Sequence, residues 1–151
     1  MTAGCVQGAL TGSDALSIIE KERFKIVDQV SQIPLQPLIS AKIIPPTRRL
    51  NTFIVDKNRE FQHGDDHVDL SRPQRQIIFA GISPHYLFLC FWRSGQIESR
   101  YLMLLKLRGP DAEVIFYSTL DGQVKNLSDM KQLLRRNKIS TLTFDSNRER
   151  E

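Results

Sequence analysis

Four apolar runs lie between Gln76 and Leu120, at 77–80, 86–92, 101–107 and 114–117. Short polar breaks separate them: Ser83-Pro84, Arg93-Ser94-Gly95 and Arg108-Gly109-Pro110-Asp111. Glycine and proline at this spacing cut a chain into strands joined by tight turns, so the stretch predicts an antiparallel meander. The run 86–92 is apolar at every position, which predicts a central strand covered on both faces. In the run 101–107, Tyr101, Met103, Leu105 and Leu107 share one side. Leu102 and Leu104 share the other with Arg100, Lys106 and Arg108. In the last run, strict alternation sets Ile115 with Tyr117 and Val114 with Phe116.

Helices are predicted on either side of the meander. Ser13 and Asp14 are candidate N-caps for a helix over 13–32, where Leu16, Ile19, Ile26, Val27, Val30 and Ile33 recur at three- and four-residue steps. Pro34 and Pro37 end it; 39–44 and 50–55 read as short strands, with Pro45-Pro46 between them. After Asp121-Gly122, Asn126 caps a second helix over 126–137 that buries Leu127, Met130, Leu133 and Leu134. A last strand is read at 139–144. The predicted class is α+β: an antiparallel meander sheet of five to six strands, packed by an N-terminal and a C-terminal helix. Residues 13–144 form one domain, after a flexible segment at 1–12 and before a frayed tail at 145–151.

A chain of 151 residues is long enough to bury its own core. No apolar run reaches the roughly 18 residues of a membrane-spanning helix. The net charge of +4 is spread along the chain, whereas nucleic-acid binding needs concentrated positive surface. The two cysteines, Cys5 and Cys90, make no disulfide framework. Cys90 sits in the most apolar run, as a small buried hydrophobe.

The start of the chain, Thr2-Ala3-Gly4-Cys5, resembles the end of a bacterial lipoprotein signal, in which small residues precede a lipidated cysteine. Only Met1 precedes it, with no basic and no apolar region, so as written it is not a secretion signal. Cys5 is a lipidation site only if the chain is truncated. The two expectations for location are therefore cytoplasmic, or periplasmic and lipid-anchored through Cys5.

The richest set of chemically able side chains is His63, Asp65, Asp66, His67 and Asp69, in the long polar loop 56–75. Imidazoles and carboxylates this close can ligate a divalent metal, which would make the chain a metal-dependent hydrolase. Gly64 stands where a zinc-protease HExxH motif has its glutamate, and the spacing of a calcium-binding EF-hand is missing. The plainer account is a solvated acidic turn with no cofactor. His85 and Cys90 are an odd number of residues apart on one run and face opposite sides, so they make no nucleophile–base pair. Phosphate-cradling glycine motifs and a GxSxG elbow are lacking.

Arg100, Lys106, Arg108, Lys131, Arg135 and Arg136 are candidates for a nucleic-acid face, with Tyr86, Phe88 and Trp92 as stacking groups if exposed. The plainer account buries these aromatics and assigns the helix-end cations to dipole compensation. Without a catalytic motif, the sequence points to a non-catalytic protein-binding or assembly module. It would use a sheet edge or face, with a protein partner or a second copy of itself. The expected places are the margins of the meander: the 56–75 loop, the basic strand at 100–108, or an uncovered edge.

Overall fold

A computed structural model describes residues 10–45, 53–57, 75–93 and 99–145 of the chain. Its elements, in order, are α1 (Gly12–Lys21), β1 (Lys25–Val27), a 3-10 turn (Val30–Gln32), α2 (Gln36–Ser40), β2 (Arg75–Ile82), β3 (Tyr86–Arg93), β4 (Ser99–Arg108), β5 (Asp111–Leu120), α3 (Leu127–Arg135) and β6 (Ile139–Thr141). The six strands form one sheet in the order β1-β2-β3-β4-β5-β6, and every pairing is antiparallel. The fold is therefore the predicted α+β meander, and β2 to β5 grow out of the four apolar runs.

The sheet is covered on both faces. On one side, α1 and α3 place Ala15, Ile19, Met130 and Leu134 against Phe79, Phe88, Cys90, Leu102, Leu104 and Phe116. On the other, the segment from Val30 to Ile44, together with Phe53 and Ile54, packs on Ile77, Leu87, Leu89, Phe91, Met103 and Leu105. The middle of β3, Leu87 to Phe91, is wholly buried, as expected of a strand apolar on both sides.

Two bulges break the alternation. The extra residue in β2 is Ile78 and in β5 it is Ile115. Each shifts the pleat by one position, so Ile78 and Phe79 both face the helices, as do Ile115 and Phe116. Val114 and Tyr117 take the opposite face. This corrects the strict alternation over 114–117: both bulged residues are apolar and no glycine marks them.

The N-terminal third departs most from expectation. Helix α1 stops at Lys21 instead of continuing to 32. Its N-cap is Thr11, ahead of Ser13 and Asp14. Asp14 N–H donates to Thr11 Oγ1 at 3.1 Å and Thr11 N–H donates to Asp14 Oδ2 at 3.1 Å, a reciprocal capping box. Hydrogen bonds to the Asp14 carboxyl from the Thr11 backbone N–H and, after it, the Thr11 side chain hold that carboxyl below its ordinary range. Downstream, Lys25–Val27 is drawn out as an edge strand against Ala80 to Ile82, where it supplies backbone partners to β2. A 3-10 turn follows, and the Asp56 carboxylate accepts its Val30 N–H at 2.7 Å. Ile26 and Val27 suit either period, and pairing with β2 decides between them.

The strand read at 39–44 is replaced by α2 and a tight reversal. Proline in the first turn suits a helix start. At the other end Lys42 adopts φ 62°, and the N–H groups of Ile43 and Ile44 return to the Leu38 carbonyl at 2.9 and 3.2 Å. Of the strand read at 50–55, the described part makes one parallel bridge, Val55 to Gln76. Helix α3 begins as expected: Asp129 N–H donates to the Asn126 side chain at 2.9 Å. Asn126→Ala should lower stability by about 1 kcal/mol, read by urea denaturation.

Candidate interaction surface

Helix α3 delivers the chain to the outer edge of the sheet. It ends in a reversal at Asn137, whose φ is 55°. The Asn137 N–H donates to Leu134 O at 3.2 Å and the Lys138 N–H to Leu133 O at 2.8 Å. The chain then runs back along β5. Asp121 N–H donates to Lys138 O at 2.8 Å and Leu142 N–H to Tyr117 O at 2.8 Å. The register Leu120 to Ile139, Thr119 to Ser140 and Ser118 to Thr141 lies between those two bonds. Ser118, fully buried, donates to Thr119 O at 2.8 Å and Ser140 O at 3.1 Å. Ile139 packs under Gly12 and Leu134 and anchors the strand on the helix side.

These bonds fix which way the β6 backbone points. Lys138, Ser140 and Leu142 turn their backbone groups inward to β5. By the alternation of an antiparallel ladder, Ile139, Thr141 and Thr143 turn theirs outward. No strand pairs with that edge among the described residues. The side chains along it suit pairing. Residues 139–144 read Ile-Ser-Thr-Leu-Thr-Phe, with no charge and no proline. Ser140, Thr141, Leu142 and Thr143 are exposed, Leu142 at 40%. Phe144 turns back to meet the Tyr117 ring edge-on at 6.3 Å.

The opposite edge is built differently. β1 is also three residues long, but Arg23, Lys25 and Asp28 are exposed around Ile26. Charges on a short edge are a usual defence against strand addition. The outer side of β5 ahead of β6 is largely occupied. Ala112 N–H donates to Ser40 Oγ at 2.9 Å, and Leu10 N–H donates to Ile115 O at 3.4 Å.

The six basic candidates do not gather into one patch. Arg100 and Arg108 sit at opposite ends of β4, about 27 Å apart at strand rise. Arg100 lies over the Trp92 ring at 4.2 Å from its centroid. Arg108 pairs with Glu113 at 2.7 Å and Arg135 with Glu20 at 3.2 Å. Lys106 lies across from Tyr86 in β3 and Glu113 in β5. Lys131 lies midway along α3 and Arg136, exposed, is its C-cap. Of the aromatics named with them, Phe88 is fully buried, while Tyr86 and Trp92 are partly buried against the helix-side core. On the other face Tyr101 stacks on Phe91 at 5.7 Å and on Tyr117 at 5.6 Å, which occupies both sides of its ring.

His63, Asp65, Asp66, His67 and Asp69, the candidate metal ligands, lie outside the described residues, as do Cys5 and the turn at Ser94. Among the described residues no group of three or more His, Cys, Asp or Glu side chains is placed to hold a metal ion. His85 is exposed in the β2–β3 turn, and Cys90 is buried in the helix-side core. Ser83 shapes that turn: its hydroxyl donates to Glu22 Oε2 at 2.7 Å and accepts from Tyr86 N–H at 3.0 Å. Among the described residues no helix is long and apolar enough to cross a membrane.

In the sequence 139–144 reads only as a closing strand, of which the structure keeps Ile139–Thr141 as β6. The signal for more was present: an uncharged, β-prone run between Lys138 and Asp145. That it forms the outermost strand, and which of its backbone groups point outward, depends on its pairing with β5. Comparison of the chain with protein-family models, curated proteins and solved structures found no match.

Proposed function

We propose that the protein is a non-catalytic binding module that takes up an extended segment of a protein partner as a seventh strand along the outer edge of β6. The observation that carries this reading is the outward backbone of Ile139, Thr141 and Thr143, on an edge without charge or proline and beside the exposed Leu142. Main-chain hydrogen bonds would supply affinity, and alternate side chains would supply selectivity. Both sheet faces are packed by the chain's own segments, so an edge suits docking better than a face. The charged β1 edge suits it less.

The test is a titration of isotope-labelled protein with short neutral peptides rich in Ile and Thr, followed by amide shifts. Shifts should centre on Ile139, Thr141 and Thr143. Thr141→Pro should abolish them, because it deletes an outward donor while leaving the bonds to β5 in place. Shifts centred on Lys131 and Arg136, or none at all, would overturn the proposal.

A further inference from the structure

We propose that the strand added at this edge is β6 of a second copy of the chain, paired antiparallel about a two-fold axis that passes between the two Leu142 residues. This rests on the reading of β6 as a strand-accepting edge and names its occupant.

The backbone allows few registers. With Ile139, Thr141 and Thr143 turned outward, an antiparallel two-fold pairing sets one residue of the run opposite itself, and centring it on Thr141 or Leu142 keeps the longest part of 139–144 paired. With Leu142 opposite Leu142 of the second copy, the two side chains meet at a non-hydrogen-bonded position. Cα atoms there approach to about 4.5 Å and cross-strand packing is closest. Thr141 then exchanges both its backbone bonds with Thr143 of the second copy, and the reverse. Leu142, 40% exposed in the single chain, becomes covered by its own copy.

Charge favours the same orientation. Arg136 and Lys138, both exposed, lie at the start of the edge run and Asp145 at its end. Antiparallel pairing brings the basic start of one copy to the acidic end of the other, whereas parallel pairing sets like against like. A head-to-tail contact with β1 would confront a neutral edge with Arg23, Lys25 and Asp28. It would also leave an open chain of subunits where a two-fold contact closes. So short a strand pair is a small interface, which makes a weak, concentration-dependent dimer the expected form.

Sedimentation velocity of the full chain over roughly 1–100 µM should show monomer passing to dimer and nothing larger. Leu142→Lys and Thr141→Pro should each remain monomeric across that range with an unchanged circular dichroism spectrum. In a Cys5→Ser background, Leu142→Cys should form a disulfide-linked dimer under mild oxidation, since facing positions of this kind fall within disulfide reach, and Ile26→Cys should not. A chain that stays monomeric and fails to cross-link through Leu142→Cys overturns the second copy as occupant. If neutral peptides still shift Ile139, Thr141 and Thr143 in that monomer, strand addition stands and only the identity of the strand is lost. A dimer that survives both variants, or species larger than a dimer, also overturns the proposal.

Discussion

Phe88→Ala should destabilise the protein by about 3–5 kcal/mol, the upper range for loss of a large core side chain. Phe88 is fully buried at the crossing of three segments. Phe24, in the connection from α1 to β1, meets its ring edge-on at 5.0 Å, and Phe79 of β2 does so at 5.8 Å. The ring lies directly over Gly81, its register partner on β2. A Cβ at Gly81 would fall inside the Phe88 ring. Gly81→Ala should therefore also destabilise, by about 1–3 kcal/mol, through overpacking. The two effects share one contact and should not add: in a Gly81→Ala, Phe88→Leu double variant, the smaller side chain makes room for the methyl. Urea denaturation of Phe88→Leu, Gly81→Ala and their double variant checks this. Additive losses would show that the ring and the glycine are not coupled.

Stability should also fall as pH rises above about 8.5, and Cys90 should be a measurable cause. Burial pushes the Cys90 thiol far up from its ordinary value, and the charge of Arg100 pulls it only partly back. In the unfolded chain the thiol releases its proton near its reference value, about 8.5. In the folded chain it keeps that proton. Above that pH the native state therefore binds more protons than the unfolded state, and stability falls by up to about 1.4 kcal/mol per pH unit from this group. The contribution is constant below the unfolded value and declines only on the alkaline side. Denaturation between pH 8.5 and 10, compared with Cys90→Ala, isolates it from every other titrating group. The variant should show a shallower slope. Equal slopes would mean that the thiol is not shielded. The same burial predicts that thiol reagents label Cys90 only as the chain unfolds.

Much of the architecture could be read directly from the residues, for a local reason. The strands of the meander are consecutive, so pairing needs only apolar runs of sufficient length and turn residues between them, and Ser83-Pro84 and Gly109-Pro110 supply the latter. The second helix was equally readable, because Asn126 and the spacing of Leu127, Met130 and Leu134 act within a few turns. The errors arose where one segment satisfies two periods. Ile26, Val27 and Val30 fit a helical stripe, yet Val27 is buried in a strand and Val30 begins a 3-10 turn. The bulges at Ile78 and Ile115 are of the same kind: nothing in those residues announces an extra position.

The candidate edge divides in the same way. Composition alone marks 139–144 as an uncharged, β-prone run between Lys138 and Asp145. Its place as the outermost strand, and the outward aim of Ile139, Thr141 and Thr143, depend on the Asn137 reversal and on the pairing of Ser118–Leu120 with Ile139–Thr141. The residues by themselves determined the α+β meander, the buried β3 and the C-terminal helix, because hydrophobic period, caps and turns are short-range properties. Tertiary structure decided where α1 stops, which face each bulged strand presents and which backbone edge no other described strand pairs with. Those depend on hydrogen bonds between segments far apart in the chain, and no local pattern encodes them.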